Sequence, residues 1–144
     1  MKKKNTLLLF LCLFSLWAVA QEKKPVKIAC VGNSITYGSG IKNQFQNSYP
    51  GLLSQLLGEG YDVRNFGISA RVLLNKGDHP YMHEQKFRDL LAFQPDIVTI
   101  KLGTNDSKPW NWRYGKDFKK DLTEMLDILQ ELPSKPKIYL CLLP

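Results

Sequence analysis

Val26-Lys27-Ile28-Ala29-Cys30-Val31-Gly32-Asn33-Ser34-Ile35-Thr36 is the stretch from which the fold can be read. Val26 to Val31 is apolar on both faces apart from Lys27, the pattern of a strand buried between two layers, and it ends at Gly32. A serine set in a tight turn after such a strand is lifted clear of the sheet with its oxygen exposed. Gly32 allows the backbone conformation such a turn requires. The same residues also fit an ordinary turn in which Ser34 caps backbone amides.

Outward from this strand, short apolar runs alternate with helical periodicity. Tyr49, Leu52, Leu53, Leu56 and Leu57 recur at helical spacing, with Asn47 or Ser48 as cap and Gly58 and Gly60 as stops. Tyr61 to Phe66 is a second strand, with Gly67 at its end. Phe87, Leu90 and Leu91 mark a second helix, closed by Gln94-Pro95. Asp96 to Leu102 is a third strand, in which Ile97, Val98 and Ile100 supply β-branched bulk. Phe118, Leu122, Met125, Leu126 and Leu129 mark a third helix, stopped by Pro133 and Pro136, and Lys137 to Leu143 is a fourth strand. This alternation implies a parallel sheet covered by helices, a three-layer α/β/α fold.

Ligands of such sheets bind at the carboxyl ends of the strands. Asn33-Ser34, Gly67 and Gly103-Thr104-Asn105-Asp106 each follow a strand, so three loops distant in sequence converge on one rim. The residue types suit acyl transfer, in which donors fixed around the substrate carbonyl oxygen stabilise the charge that develops there. The Ser34 amide, the Gly67 amide and the Asn105 side-chain amide are the three candidate donors. Singly, Gly67 reads equally well as a turn glycine and Asn105 as an Asx turn; their occurrence in order, each after a strand, favours the site.

Gly32-Asn33-Ser34-Ile35-Thr36-Tyr37-Gly38, Asn65-Phe66-Gly67 and Gly103-Thr104-Asn105-Asp106 resemble the first three conserved blocks of the SGNH hydrolases, a branch of the GDSL esterases and lipases. The resemblance implies a flavodoxin-like SGNH fold and a serine esterase in which Ser34 is the nucleophile and Gly67 and Asn105 are oxyanion-hole donors. It implies no cofactor and no metal. The family usually has Asp before the nucleophile; here Asn33, its uncharged near-isostere, is expected to keep the turn. Asp106 belongs to the third block and is expected to brace its loop. The family's last block, Asp-x-x-His, is not found in these residues: neither His79 nor His83 has Asp three positions earlier. Both read as loop or helix-start histidines. The expectation is an SGNH domain that stops after its fourth strand and is inactive as it stands, since Ser34 then lacks a general base.

Lys108-Pro109-Trp110-Asn111-Trp112-Arg113-Tyr114 follows the third block directly. Trp110 and Trp112 fit two roles equally, stacking on sugar faces at the rim or packing the loop onto the domain. Gly103 to Trp112 is similar to secreted bacterial sialate O-acetylesterase-like and acetylxylan-esterase-like members, which implies deacetylation of a carbohydrate or another small ester. The alternatives are a lipase, lysophospholipase or thioesterase of the same family, and a non-catalytic carbohydrate-binding protein. A flavodoxin or receiver domain is disfavoured, because Asn33-Ser34 offers neither a phosphate cradle nor an acidic cluster.

At the other end, Lys2-Lys3-Lys4, the apolar run Leu7 to Val19 and Ala18-Val19-Ala20 have the order of a secretory signal peptide. Residues 1–20 are therefore expected to be cleaved, leaving residues 21–144 as one exported domain, periplasmic or secreted, with no stable membrane insertion. The formal net charge is +7, three units of which come from Lys2, Lys3 and Lys4. The remaining lysines are scattered, which argues against a nucleic-acid partner. In the sheet that the resemblance implies, the first and fourth strands flank the third, which puts Cys30 and Cys141 about 9–10 Å apart laterally. That is too far for a disulfide, and both are expected to be free and buried.

Overall fold

The computed structural model describes residues 24–142; the expected signal segment lies outside them. In chain order the elements are β1 (Val26–Gly32), α1 (Ser34–Tyr37), α2 (Gln44–Asn47), α3 (Tyr49–Leu57), β2 (Tyr61–Gly67), a 3₁₀ turn (Tyr81–His83), α4 (Gln85–Phe93), β3 (Ile97–Lys101), α5 (Pro109–Trp112), a second 3₁₀ turn (Gly115–Asp117), α6 (Phe118–Gln130) and β4 (Lys137–Leu140). The expected strands and longer helices are present, with ends shifted by up to three residues.

The four strands form one parallel sheet in the order β2-β1-β3-β4. Alternation along each strand divides the side chains between two layers. Ala29 and Val31, with Phe66, Val98 and Ile100 beside them in register, face α4 and α6 and pack with Phe87, Leu90, Phe93, Met125 and Leu129. Cys30 and Thr99 face the opposite way, towards α3. There the Tyr49 hydroxyl lies 3.4 Å from Thr99 Oγ1, and burial pushes the Tyr49 phenol up to about 12. Helices therefore cover both faces, as the apolar runs require.

Thr99 stands in register between Cys30 and Tyr139, so a whole strand separates the two cysteines, and both are free. Cys30 is buried, but Cys141 is exposed, contrary to expectation. Among the described residues no strand flanks β4 on its outer side, and Tyr139, Leu140 and Leu142 are exposed there as well.

Candidate active site

In this strand order the chain leaves β1 to one side for β2 and then crosses β1 to reach β3. The β1–β3 seam is the topological switch point, where such sheets open a crevice at their carboxyl ends. Gly32 is level with Gly67 on one side and with Lys101 on the other. Ser34, the Ile68–Arg71 turn and Gly103–Asp106 therefore leave the sheet at one height.

The turn at Ser34 is fixed from within. Asn33 Oδ1 accepts the Ile35 amide at 3.1 Å, Asn33 O accepts the Tyr37 amide at 2.9 Å, and Ser34 O accepts those of Gly38 and Ser39 at 3.0 Å. Asn33 thus keeps the turn, as expected of the near-isostere. Its Nδ2 is buried with no partner among the described residues. Ser34 is half-buried, and its hydroxyl has no hydrogen-bond partner among those residues, so the side chain is not spent on capping. Gly32 serves differently from expectation. It lies in β1 without a positive φ; a Cβ there would strike Thr36 Oγ1 and stand 2.9 Å from Lys101 O. Glycine at this position permits close approach.

Gly67 is a correction. Its amide is not free but donates to Asn65 Oδ1 at 2.9 Å, while Asn65 Nδ2 donates to Thr36 O at 2.9 Å. A Cβ on Gly67 would stand 2.8 Å from Thr36 C and 2.9 Å from Tyr37 Cα. The glycine is there because the end of β2 runs against the backbone of α1. The following turn holds the free donors: among the described residues the amides of Ser69, Ala70 and Arg71 have no acceptor. Ala70 is exposed and left-handed, with φ 66°, a conformation that costs a non-glycine residue about 1–2 kcal/mol and clusters at functional sites. The turn is tied to β1 by the Ile68 amide on Gly32 O at 3.0 Å and to the Ser34 loop by Ser69 Oγ and Ser39 Oγ, 2.6 Å apart.

Asn105 is buried, and its Nδ2 donates to Arg71 O at 3.0 Å, 34 residues away in sequence. That is no Asx turn. One of its two amide hydrogens is committed and the other is left for a ligand. Asp106, fully buried, accepts Leu73 N at 2.8 Å and Leu74 N at 2.8 Å. It is the brace the sequence suggested. Burial raises its carboxyl above the usual range, although the Leu74 and Leu73 amides pull the other way. Three further side chains hold the same segment and were not picked out from sequence: Asp121 accepts Asn75 N at 2.8 Å, Asn111 Oδ1 accepts Asp78 N at 3.0 Å, and the buried Tyr81 hydroxyl donates to Phe66 O at 2.7 Å. Their only sequence signal is a polar residue at a core-facing position, as with Asp121 on α6.

The two tryptophans, both about half exposed, part company. Trp112 lies against Gly115, where a Cβ would come within 2.9 Å of its ring, and against Phe118 at 6.1 Å. It packs the loop down. Trp110 is anchored at its edge, Nε1 donating to Asp78 Oδ2 at 3.2 Å, with Lys108 Nζ 5.6 Å from its ring centre. His79 and His83 are exposed, and neither imidazole hydrogen-bonds to Ser34. Among the described residues no cluster of three His, Cys, Asp or Glu side chains is placed to hold a metal, and no helix is long and apolar enough to cross a membrane.

Residues 30–144 match the model of the GDSL-like lipase/acylhydrolase family. An acetylxylan esterase from Xylanibacter ruminicola is 48% identical over 139 residues, covering 85% of this chain; the chain spans 29% of that relative's length. Among solved structures, an inhibitor-bound aryl esterase from M. smegmatis superposes with a TM-score of 0.65 at 23% identity, over 80% of this chain and 62% of that one. Est24, a carbohydrate acetylesterase from Sinorhizobium meliloti, does so with a TM-score of 0.62 at 22% identity and the same coverage. These two likenesses establish the shared fold.

Proposed function

The chain belongs to the GDSL-like lipase/acylhydrolase family, and from that premise we propose that the protein is a serine ester hydrolase that removes O-acetyl groups from carbohydrate. The observation that carries the reading is the switch-point geometry: Ser34 with an uncommitted hydroxyl leaves β1 level with the loop that presents Asn105 from β3. The 48% identity to an acetylxylan esterase supports the acetyl-carbohydrate substrate.

Ser34 Oγ attacks the ester carbonyl carbon, and its proton passes to a general base. The carbonyl oxygen, now an oxyanion, is met by the Ser34 amide, the free hydrogen of Asn105 Nδ2 and a backbone amide of the Ile68–Arg71 turn. Ala70 takes the role expected of Gly67, whose amide is engaged. The oxyanion collapses, the sugar alkoxide leaves with a proton from the base, and water repeats the sequence to release acetate. Neither His79 nor His83 serves as the base, a role that the family's Asp-x-x-His block would fill; these 144 residues hold no such block. Trp110 stacks on the sugar, whereas Trp112 holds its loop. Export by residues 1–20 belongs to the same reading, since polymeric substrates lie outside the cell.

Asn105→Ala in the full-length gene product tests the assignment. We expect kcat on p-nitrophenyl acetate to fall by roughly 10²–10³, with KM little changed. A change in KM alone would make Asn105 a ground-state contact.

A further inference from the structure

Asn111 is 1% exposed, although it lies on a four-residue helix just after the third block. Every hydrogen of its amide is used. Nδ2 donates to Asn105 O at 3.0 Å and to Asp78 Oδ1 at 3.0 Å, and Oδ1 accepts Asp78 N at 3.0 Å. Asn111 is thus clamped on two sides by Asp78 and delivers its remaining donor to the backbone of Asn105. The other backbone donor to that carbonyl, Lys108 N, is 3.4 Å away, so Asn111 makes the shorter contact. On its far side Asp78 also takes Trp110 Nε1 at 3.2 Å.

The geometry points to Asn111, braced by Asp78, as the positioning residue that sets the Asn105 amide against the reacting carbonyl. The inference rests on the reading of Asn105 as an oxyanion donor. A donor hung on a loop is effective only if its backbone is held to a fraction of an ångström, and Asn111 grips this loop at Asn105 O, next to the Asp106 brace. Asp78 is exposed; its removal leaves the core intact but frees one side of the clamp.

A double-mutant cycle in the full-length gene product separates this role from mere stability. Asn111→Ala is expected to lower kcat on p-nitrophenyl acetate about tenfold and Asp78→Ala about threefold, the scale of one misplaced or loosened hydrogen bond. KM for this small ester, which carries no sugar for Trp110 to stack on, stays within twofold. Asp78→Asn, which keeps an acceptor for Asn111 Nδ2, restores kcat. In an Asn105→Ala background both losses vanish. If Asn111→Ala fails to fold, the Asp78→Ala and Asn105→Ala pair carries the same cycle from the exposed side. Losses that persist undiminished in the Asn105→Ala background overturn the inference, because Asn111 and Asp78 then act by another route; so does an unchanged kcat in Asp78→Ala and Asn111→Ala. If Asn105→Ala by itself leaves kcat unchanged, the oxyanion reading falls and this inference falls with it, an outcome distinct from the first two.

Discussion

Replacing Gly67 by alanine keeps its backbone amide but adds one methyl group where β2 meets α1. That methyl would stand 2.8 Å from Thr36 C, 2.9 Å from Tyr37 Cα and closer still to Tyr37 N. All three are backbone atoms, so no side chain can swing aside. Carbon atoms settle near 3.5–4.0 Å, so β2 and α1 must separate by roughly 1 Å. Ser34 is the first residue of α1 and moves with it. Overpacking of this kind costs about 1–3 kcal/mol, and a 1 Å displacement of a reacting group costs about 10²-fold in rate. Gly67→Ala should therefore lose both stability, by urea unfolding, and kcat, by p-nitrophenyl acetate turnover of the full-length gene product. If Gly67 mattered through its amide alone, alanine would leave both unchanged. That result would refute the close-approach account and return Gly67 to the oxyanion hole.

Asp106→Ala strands the buried Leu73 and Leu74 amides and should cost roughly 2–4 kcal/mol in urea unfolding. Because burial raises the Asp106 carboxyl in the fold, its contribution to stability is fully present below the unfolded pKa and is lost as pH rises through the folded value; Asp106→Asn should remove that slope from the stability profile across the acid range. Under native conditions a thiol reagent should spare Cys30, and mass measurement should show no bond between Cys30 and Cys141; a Cys30–Cys141 disulfide would contradict the strand order. Trp110→Ala should raise KM on an acetylated xylan oligosaccharide several-fold more than Trp112→Ala does, whereas Trp112→Ala should show the larger loss of stability.

The sheet was legible because its signals are local. Val26 to Val31 is apolar apart from Lys27, Tyr49 to Leu57 has helical spacing, and the longer elements end at Gly or Pro, so the strands, helices and loops follow from periodicity, whereas the strand order follows from the family resemblance. Ser34 and Asn105 were legible for the same reason, as polar residues placed just after strands. Gly67 was misread because a glycine at a strand end looks the same whether its amide is free or its Cα presses on a neighbour; only the position of α1 decides. Ala70 gave no signal, since alanine carries no mark of a left-handed φ. The Asn111–Asp78 and Asp121–Asn75 contacts join segments more than thirty residues apart, beyond any periodicity.

Ester turnover by the full-length gene product, compared with its Ser34→Ala variant on p-nitrophenyl acetate, tests the central claim most directly. Loss of the nucleophile should lower kcat by roughly 10³-fold or more, with thermal unfolding unchanged because the half-exposed hydroxyl holds nothing in the fold. A Ser34→Ala protein that keeps turnover within tenfold of the parent would show that the chemistry lies elsewhere.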